Sequence, residues 1–354
     1  MPFRIKHSVF LISLGAIVVL AALLAKAYIA IYTRNPERPR GEFSEISIEA
    51  GVSVQEIADL MKDKGVIRNA REFVFSARLL RLDDRIQAGV YPLPFGQTNA
   101  QLLLRLTTAG ASAALITIPE GLISYEIAQL LQQEIGLDSA QFMKAVFDSA
   151  MRAKNNITAP SLEGYLFPDS YHFYREMRPD WVVQRMVKRF YQIFDSTFQA
   201  AAATLNLSTN EVVTLASIIE GEMQDPSEDQ IISAIYHNRL KQGMLLQADP
   251  TIQYVISNNR RRLYHSDLAV ESPYNTYLHP GLPPGPVCNP GKRALSAALQ
   301  PASVPYLFMV SQGDGTHAFS TNLADHLLAK VRLDSIRMAL ALSQKVARDS
   351  LQQN

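Results

Sequence analysis

Glu220 and Glu222 close an apolar segment, VVTLASIIEGEM, and a carboxyl in such surroundings is a candidate proton-transfer group. On a helical wheel of about 100° per residue, Glu220 falls between Ala216 and Val213, inside the apolar arc and off the polar face of Thr214, Ser217 and Gly221. Desolvation there favours the acid form, so the pKa is expected to rise toward neutrality, where the group can still donate a proton. A glutamate half-buried by chance and satisfied by an arginine would occupy the same arc. Glu222 enters that arc from its other edge, and periodicity alone does not choose between the two.

Three further clusters carry polar chemistry. LQADPTIQY holds Gln247, Asp249 and Tyr254, although an Asp before Pro250 also suits a plain turn. SPYNTYLHPGLPPGP sets Tyr274 and Tyr277 beside Asn275 and Thr276. Sugars require this mixture, because one pyranose face is apolar while the hydroxyls need fixed hydrogen-bond partners. A proline-stiffened structural loop would read the same way. EGYLFPDSYHFY carries Glu163 and Asp169 among aromatic residues, and its alternate positions also suit a core strand.

Other chemistries find little purchase. The histidines form no i, i+4 pair, and the single cysteine, Cys288, permits neither a disulfide nor a thiolate cluster. Gly313-Asp314-Gly315 precedes a strand, so it is no phosphate-cradling loop, and no G-x-S-x-G elbow occurs. A formal charge of +1 offers no field for a nucleic acid. What survives is acid and base work by carboxylates, with no metal and no cofactor expected.

The elements that must position these groups are marked in the chain. Ser208 and Glu211 form a capping box and Leu207 with Val212 a hydrophobic staple, so the Glu220 helix begins there. Helical pattern also fills Asp180 to Leu205 and IISAIYHNRLKQGM, ending near Gly243. From Asp249 to Gly291 the prolines predict a long irregular stretch. A helix at ALSAALQ, strands at PYLFMVS and HAFS, and a final helix after Thr321 or Asn322 complete this part. Upstream lies an internal repeat: ISIEAGVSVQEIADL from Ile46 aligns with ITIPEGLISYEIAQL from Ile116 at a shift of 70 positions. Each copy reads as strand, glycine turn and amphipathic helix, followed by a second strand at QAGVYPLP or LEGYLFPDSYHFY.

At the amino terminus, Ser8 to Ala25 is uncharged, and at about 1.5 Å per residue it spans most of a bilayer core of about 30 Å. Continuing to Tyr32 completes the span, with Lys26 snorkelling and Tyr28 and Tyr32 at headgroup level. Ala25-Lys26-Ala27 also fits a cleavage site, but the apolar run is longer than a signal peptide's, which favours a retained anchor. RNPERPR then reads as a short stiff tether.

ASIIEGE from Ala216, HNRL from His237, LQADPT from Leu246, SPYNTY with GLPPGP from Ser272, and THAFS from Thr316 together resemble the YceG-like endolytic murein transglycosylases, the MltG family. The resemblance runs from the apolar span to about Lys330. It implies that Glu220, rather than Glu222, is the catalytic acid and base, with Gly221 standing where a bulkier, often basic residue is usual. Glu163, Asn238, Gln247, Asp249, Tyr274, Asn275, Thr276 and Tyr277 are the candidates for holding the sugar, and the resemblance implies that the first repeat is a LysM-like, glycan-contacting unit. The implied reaction cleaves the MurNAc–GlcNAc bond of nascent strands and leaves 1,6-anhydroMurNAc ends. The other readings are a lysozyme-like hydrolase with Asp249 as second carboxylate, and a non-catalytic glycan-binding scaffold. The expected architecture is α+β: a transmembrane anchor over 1–33, a tether over 34–42, a LysM-like unit over 43–110, a related unit over 111–178, a mixed catalytic domain with a long proline-rich loop over 179–340, and a tail over 341–354. Peptidoglycan strands, the inner membrane crossed once, and peptidoglycan synthases are the expected partners, with the catalytic domain in the extracytoplasmic space.

Overall fold

The computed structural model describes residues 3–37, 43–49, 51–108, 114–173, 177–256 and 261–333, together with 335 and 338; for residues 3–16 it describes the backbone path alone. The expected tail over 341–354 lies outside these residues. The fold is mixed α+β, with many helices and three two-stranded sheets among the described residues. The chain divides into two compact units, Met1–Leu115 with His172–Arg175, and Ile116–Tyr171 with Glu176–Asn354.

The first unit opens with α1 (Phe3–Tyr32). Among the described residues no helix is long and apolar enough to cross a membrane; the side chains of Ser8 to Ala16, half of the expected span, lie outside them. After α1 come β1 (Phe43–Ile48), α2 (Val54–Asp63), α3 (Ala70–Leu79), β2 (Gly89–Pro94) and α4 (Asn99–Thr108). β1 and β2 pair antiparallel with Ile46 opposite Tyr91. Strand alternation sends Ile46, Ile48, Tyr91 and Leu93 inward, where they meet Met61, Phe73, Leu102 and Leu106. Ser53 and Glu56 cap α2 reciprocally, and Gly51 makes the preceding turn at φ +85.

Arg34 to Glu37, read in sequence as part of a tether, lie against this unit. Asn35 is buried; its Nδ2 donates to Gln97 O and Asn99 Oδ1, both at 2.9 Å, and its Oδ1 accepts from Arg68 N–H at 3.0 Å. Residues 38–42 lie outside the description.

The second repeat copy follows the same order as the first: β3 (Ala114–Thr117), a turn at Gly121 with φ +76, and α5 (Ser124–Ile135). After it come α6 (Ser139–Val146), α7 (Ser149–Lys154) and β4 (Ser170–Phe173), which pairs with β3. The strand predicted to start at Leu162 therefore starts later. Gly164 sits at φ +85 and Pro168 has no amide to donate, so residues 162–169 cannot hold a ladder.

Then follow α8 (Pro179–Ile193), α9 (Ser196–Thr204), α10 (Thr209–Glu222), α11 (Asp229–Lys241), α12 (Asp249–Ile256) and α13 (Lys292–Leu299), with a hairpin of β5 (Phe308–Ser311) and β6 (His317–Ser320). A helical segment over 323–333 is capped by Asn322, whose Oδ1 accepts from Asp325 N–H at 3.0 Å. The predicted capping box on α10 is present, with Ser208 and Glu211 bonded reciprocally. α12 corrects the expectation of irregular chain from Asp249. An acidic residue and a proline suit a helix's first turn, so the residues expected to make a turn start a helix instead.

Candidate active site

α10 is buried along nearly its whole length: Val212 to Ile219 are each almost inaccessible, with Thr214 and Ser217 of its polar face buried as well. It packs against α9, α11, α12 and α13. Each buried Val, Leu or Ile of such a helix contributes about 1.5–3 kcal/mol, so α10 is a rigid post within its unit. Its last turn emerges into a cleft of about 580 Å³, and there it presents Glu220 and Glu222.

Glu220 is half-buried, and its Oε2 accepts the amide of Gly291 at 3.0 Å, the residue preceding α13. Among the described residues, Oε1 has no hydrogen-bond partner. Burial pushes the carboxyl up to about 7, with the Glu120 charge adding to the rise, while the Gly291 bond and Arg293 pull the other way. Its position in the last turn, where the helix carries partial negative charge, disfavours the anion further. Gly121 comes so close that a Cβ there would stand 3.4 Å from Glu220 Cγ.

Glu222 lines the same cleft, and Tyr236 O–H donates to its Oε1 at 3.2 Å. Burial again leads the rise to about 7, followed by repulsion from Asp249. Because this pKa is raised in the fold, the protonated native form is favoured. Its stabilising contribution is complete below the unfolded value of 4.5 and is lost as pH rises through about 7, a change of about 3 kcal/mol. Glu222→Gln keeps an oxygen for Tyr236 and is expected to flatten the fall in unfolding free energy between pH 4.5 and 8 by about that amount. Urea titrations across this range test it, and parallel pH profiles for the two proteins would exclude it.

The loop that borders Glu220 is held by hydrogen bonds. Ser217, one turn before Glu220, accepts Val287 N–H on its Oγ at 2.9 Å, and its carbonyl accepts Cys288 Sγ–H at 3.3 Å. Asn289 is fully buried. Its Oδ1 accepts from Gly164 N–H (2.9 Å) and Leu166 N–H (3.0 Å), while its Nδ2 donates to Leu122 O (2.9 Å) and Glu163 Oε1 (2.7 Å). Gly164 allows this convergence, since a Cβ there would collide with Pro286 Cγ and stand 2.8 Å from Val213 Cγ1.

Of the residues singled out in sequence, Glu220, Glu222, Asp249 and Tyr254 line the cleft together. Tyr277 joins them through its hydroxyl, which donates to Asp249 Oδ1 at 2.6 Å. Tyr274 lies beside the cleft-lining Tyr254, with ring centroids 5.1 Å apart. The others are spent on architecture. Glu163 is buried, with both oxygens on Ser124 N–H, and burial raises it to about 7. Asn275 donates to Leu268 O and Val270 O, and Thr276 Oγ1 accepts from Ala248 N–H. Asn238 donates to Val304 O and Tyr306 O, away from the cleft. Gln247 is exposed at φ +47, and its backbone N–H donates to Thr276 O. Sequence reasoning missed Glu120, Gln253 and Arg261, which also line the cleft. Glu120 was accessible to it, since it abuts the glycine turn of the second repeat. Among the described residues, no cluster of metal-ligating side chains occurs.

Gly221 permits close packing of another kind. A Cβ there would stand 2.5 Å from Pro250 Cγ, so the small residue between the two glutamates lets the start of α12, with Asp249, approach α10.

The chain matches the YceG-like family over residues 46–332. It is similar to the endolytic murein transglycosylase of Bacillus subtilis, 31% identical over 304 residues that cover 80% of this chain and 83% of that protein. It is also similar to the endolytic murein transglycosylase of Streptococcus pneumoniae, 26% identical over 320 residues; there the match spans 80% of this chain and 57% of the longer relative. The crystal structure of a YceG-like protein from Listeria monocytogenes superposes with a TM-score of 0.57 at 29% identity, covering 80% of this chain and 98% of that one. On the extent of these matches, the chain belongs to the YceG-like family.

Proposed function

We propose that the chain is an endolytic murein transglycosylase, a lyase that cuts peptidoglycan glycan strands, and that Glu220 performs both proton transfers. As the neutral acid it protonates the glycosidic oxygen leaving MurNAc C1; as the resulting carboxylate it takes the proton of the same sugar's C6 hydroxyl, which closes on C1. Water is not consumed, so no second carboxylate is needed to activate it. The observation that carries the reading is the half-buried Glu220, which lines a cleft large enough for a sugar, its carboxyl raised to about 7 by burial. Asp249 with Tyr277, and Tyr254 with Tyr274, supply polar and aromatic surfaces to hold it.

Asp249 in the same cleft also keeps open hydrolysis by a carboxylate pair. Digestion of purified glycan followed by mass analysis of the new ends tests the reading. Ends lighter by one water are expected; reducing ends would replace the lyase with a hydrolase.

We further infer that α1 anchors the chain in the cytoplasmic membrane, crossing once, with the remainder outside the cytoplasm. Its support is the uncharged run Ser8 to Ala25 in a helix that continues to Tyr32. In this reading the first unit is a LysM-like, glycan-contacting module, and anchorage directs cutting to newly made strands beside their synthases.

A further inference from the structure

The described part of α1 is bare until it meets the first unit: Leu20, Leu24 and Ile29 are 57–63% exposed, whereas Ala30 and Ile31 are buried. Two contacts fix the direction of α3 beside it. Arg68 N–H, just before α3, donates to Asn35, just beyond α1. Further along α3, Ser76 Oγ donates to Ala30 O at 3.2 Å. α3 therefore runs back along α1, toward the apolar end of that helix.

At about 1.5 Å per residue, Leu79 and Leu80 reach about 5 Å beyond the level of Ala30, beside Lys26 and Ala27. Phe75, Leu79 and Leu80 are exposed by 45%, 50% and 37% at this end of the unit, and Phe75 and Leu79 share a face at i, i+4 spacing. Tyr28 and Tyr32, exposed on α1 with ring centroids 5.1 Å apart, have the chemistry of headgroup-level anchors. Arg78 and Arg81 flank the leucines, and Asp83, Asp84 and Arg85 follow, so the local charge is nearly balanced. Apolar contact, not charge, has to supply the affinity.

We infer that the carboxyl-terminal end of α3 is a membrane-docking tip: Phe75, Leu79 and Leu80 enter the interfacial layer of the bilayer that holds α1. The inference rests on the reading of α1 as an anchor. Its physical basis is that a helix end placed about 5–10 Å into the headgroup boundary removes apolar surface from water. Contact at two elements then fixes the tilt of the first unit on the lipid, which a single helix could not do.

The test uses the full chain with Cys288→Ser and one introduced cysteine, Tyr28→Cys, Leu79→Cys or Gln55→Cys, labelled with nitrobenzoxadiazole. Each is placed in phosphatidylethanolamine–phosphatidylglycerol vesicles with or without a shallow spin-labelled lipid. Probes at 28 and 79 are expected to lose about half their emission or more to the quencher, and the probe at 55, on the exposed face of α2, to lose little. Quenching at 28 without 79 overturns the docking tip and leaves the anchor standing. Quenching at neither overturns both, and equal quenching at all three overturns a specific tip.

Discussion

Glu220→Gln is expected to lower strand cleavage by about 10³-fold while leaving the chain folded, because an amide can neither donate the leaving-group proton nor take up the C6 one. The amide oxygen still accepts Gly291 N–H, so the bordering loop keeps its tether. Glu222→Gln, in the same turn and with a pKa raised to the same level, is expected to stay within about tenfold of the parent. The contrast distinguishes a reacting group from a buried neighbour. The wild-type rate should also fall about tenfold per pH unit above about 7, as the acid form of Glu220 is depleted. Cleavage surviving in Glu220→Gln at a tenth of the parent rate would remove Glu220 from the mechanism.

Asn289→Ala is expected to be the most damaging structural change. It strips the side-chain acceptor from the buried amides of Gly164 and Leu166 and a donor from Glu163. At about 1–3 kcal/mol for each of the two orphaned amides the loss is about 2–6 kcal/mol, a large share of a typical stability. Asn289→Asp keeps the acceptor but sets a second carboxyl 2.7 Å from Glu163, so its penalty should grow with pH as the pair ionises. Urea titration with a constant slope measures both. A loss below about 1 kcal/mol for the alanine variant would show that the two turns hold without this side chain.

How much of the fold is legible in the chain depends on how local the cause is. The capping box of Ser208 and Glu211 acts within four residues, and the apolar arc containing Glu220 is a property of one helix; both were readable. The repeat was readable because each copy encodes its own strand, glycine turn and helix. The roles of Asn275, Thr276 and Asn238 were not. Amide and hydroxyl groups that suit a sugar equally suit the unpaired carbonyls and amides of an irregular loop, and in a proline-rich stretch the backbone claims them first. Asn289 was least legible of all, because its partners lie more than 120 residues away and nothing near it in sequence points to them.

That long reach also orders events during synthesis. α10 and its glutamates emerge from the ribosome well before residues 286–291, yet the border of the cleft is fastened by the amides of Val287 and Gly291 and the carbonyl of Asn289 in that later stretch. Contacts so distant along the chain form late, after the loop between them has been closed. A nascent chain halted before Asn289 therefore carries the acid and the residues that line the cleft, but not the bonds from Asn289 and Gly291 that fasten its border; a wall-cutting enzyme of this construction gains its fixed edge only when its manufacture is nearly done.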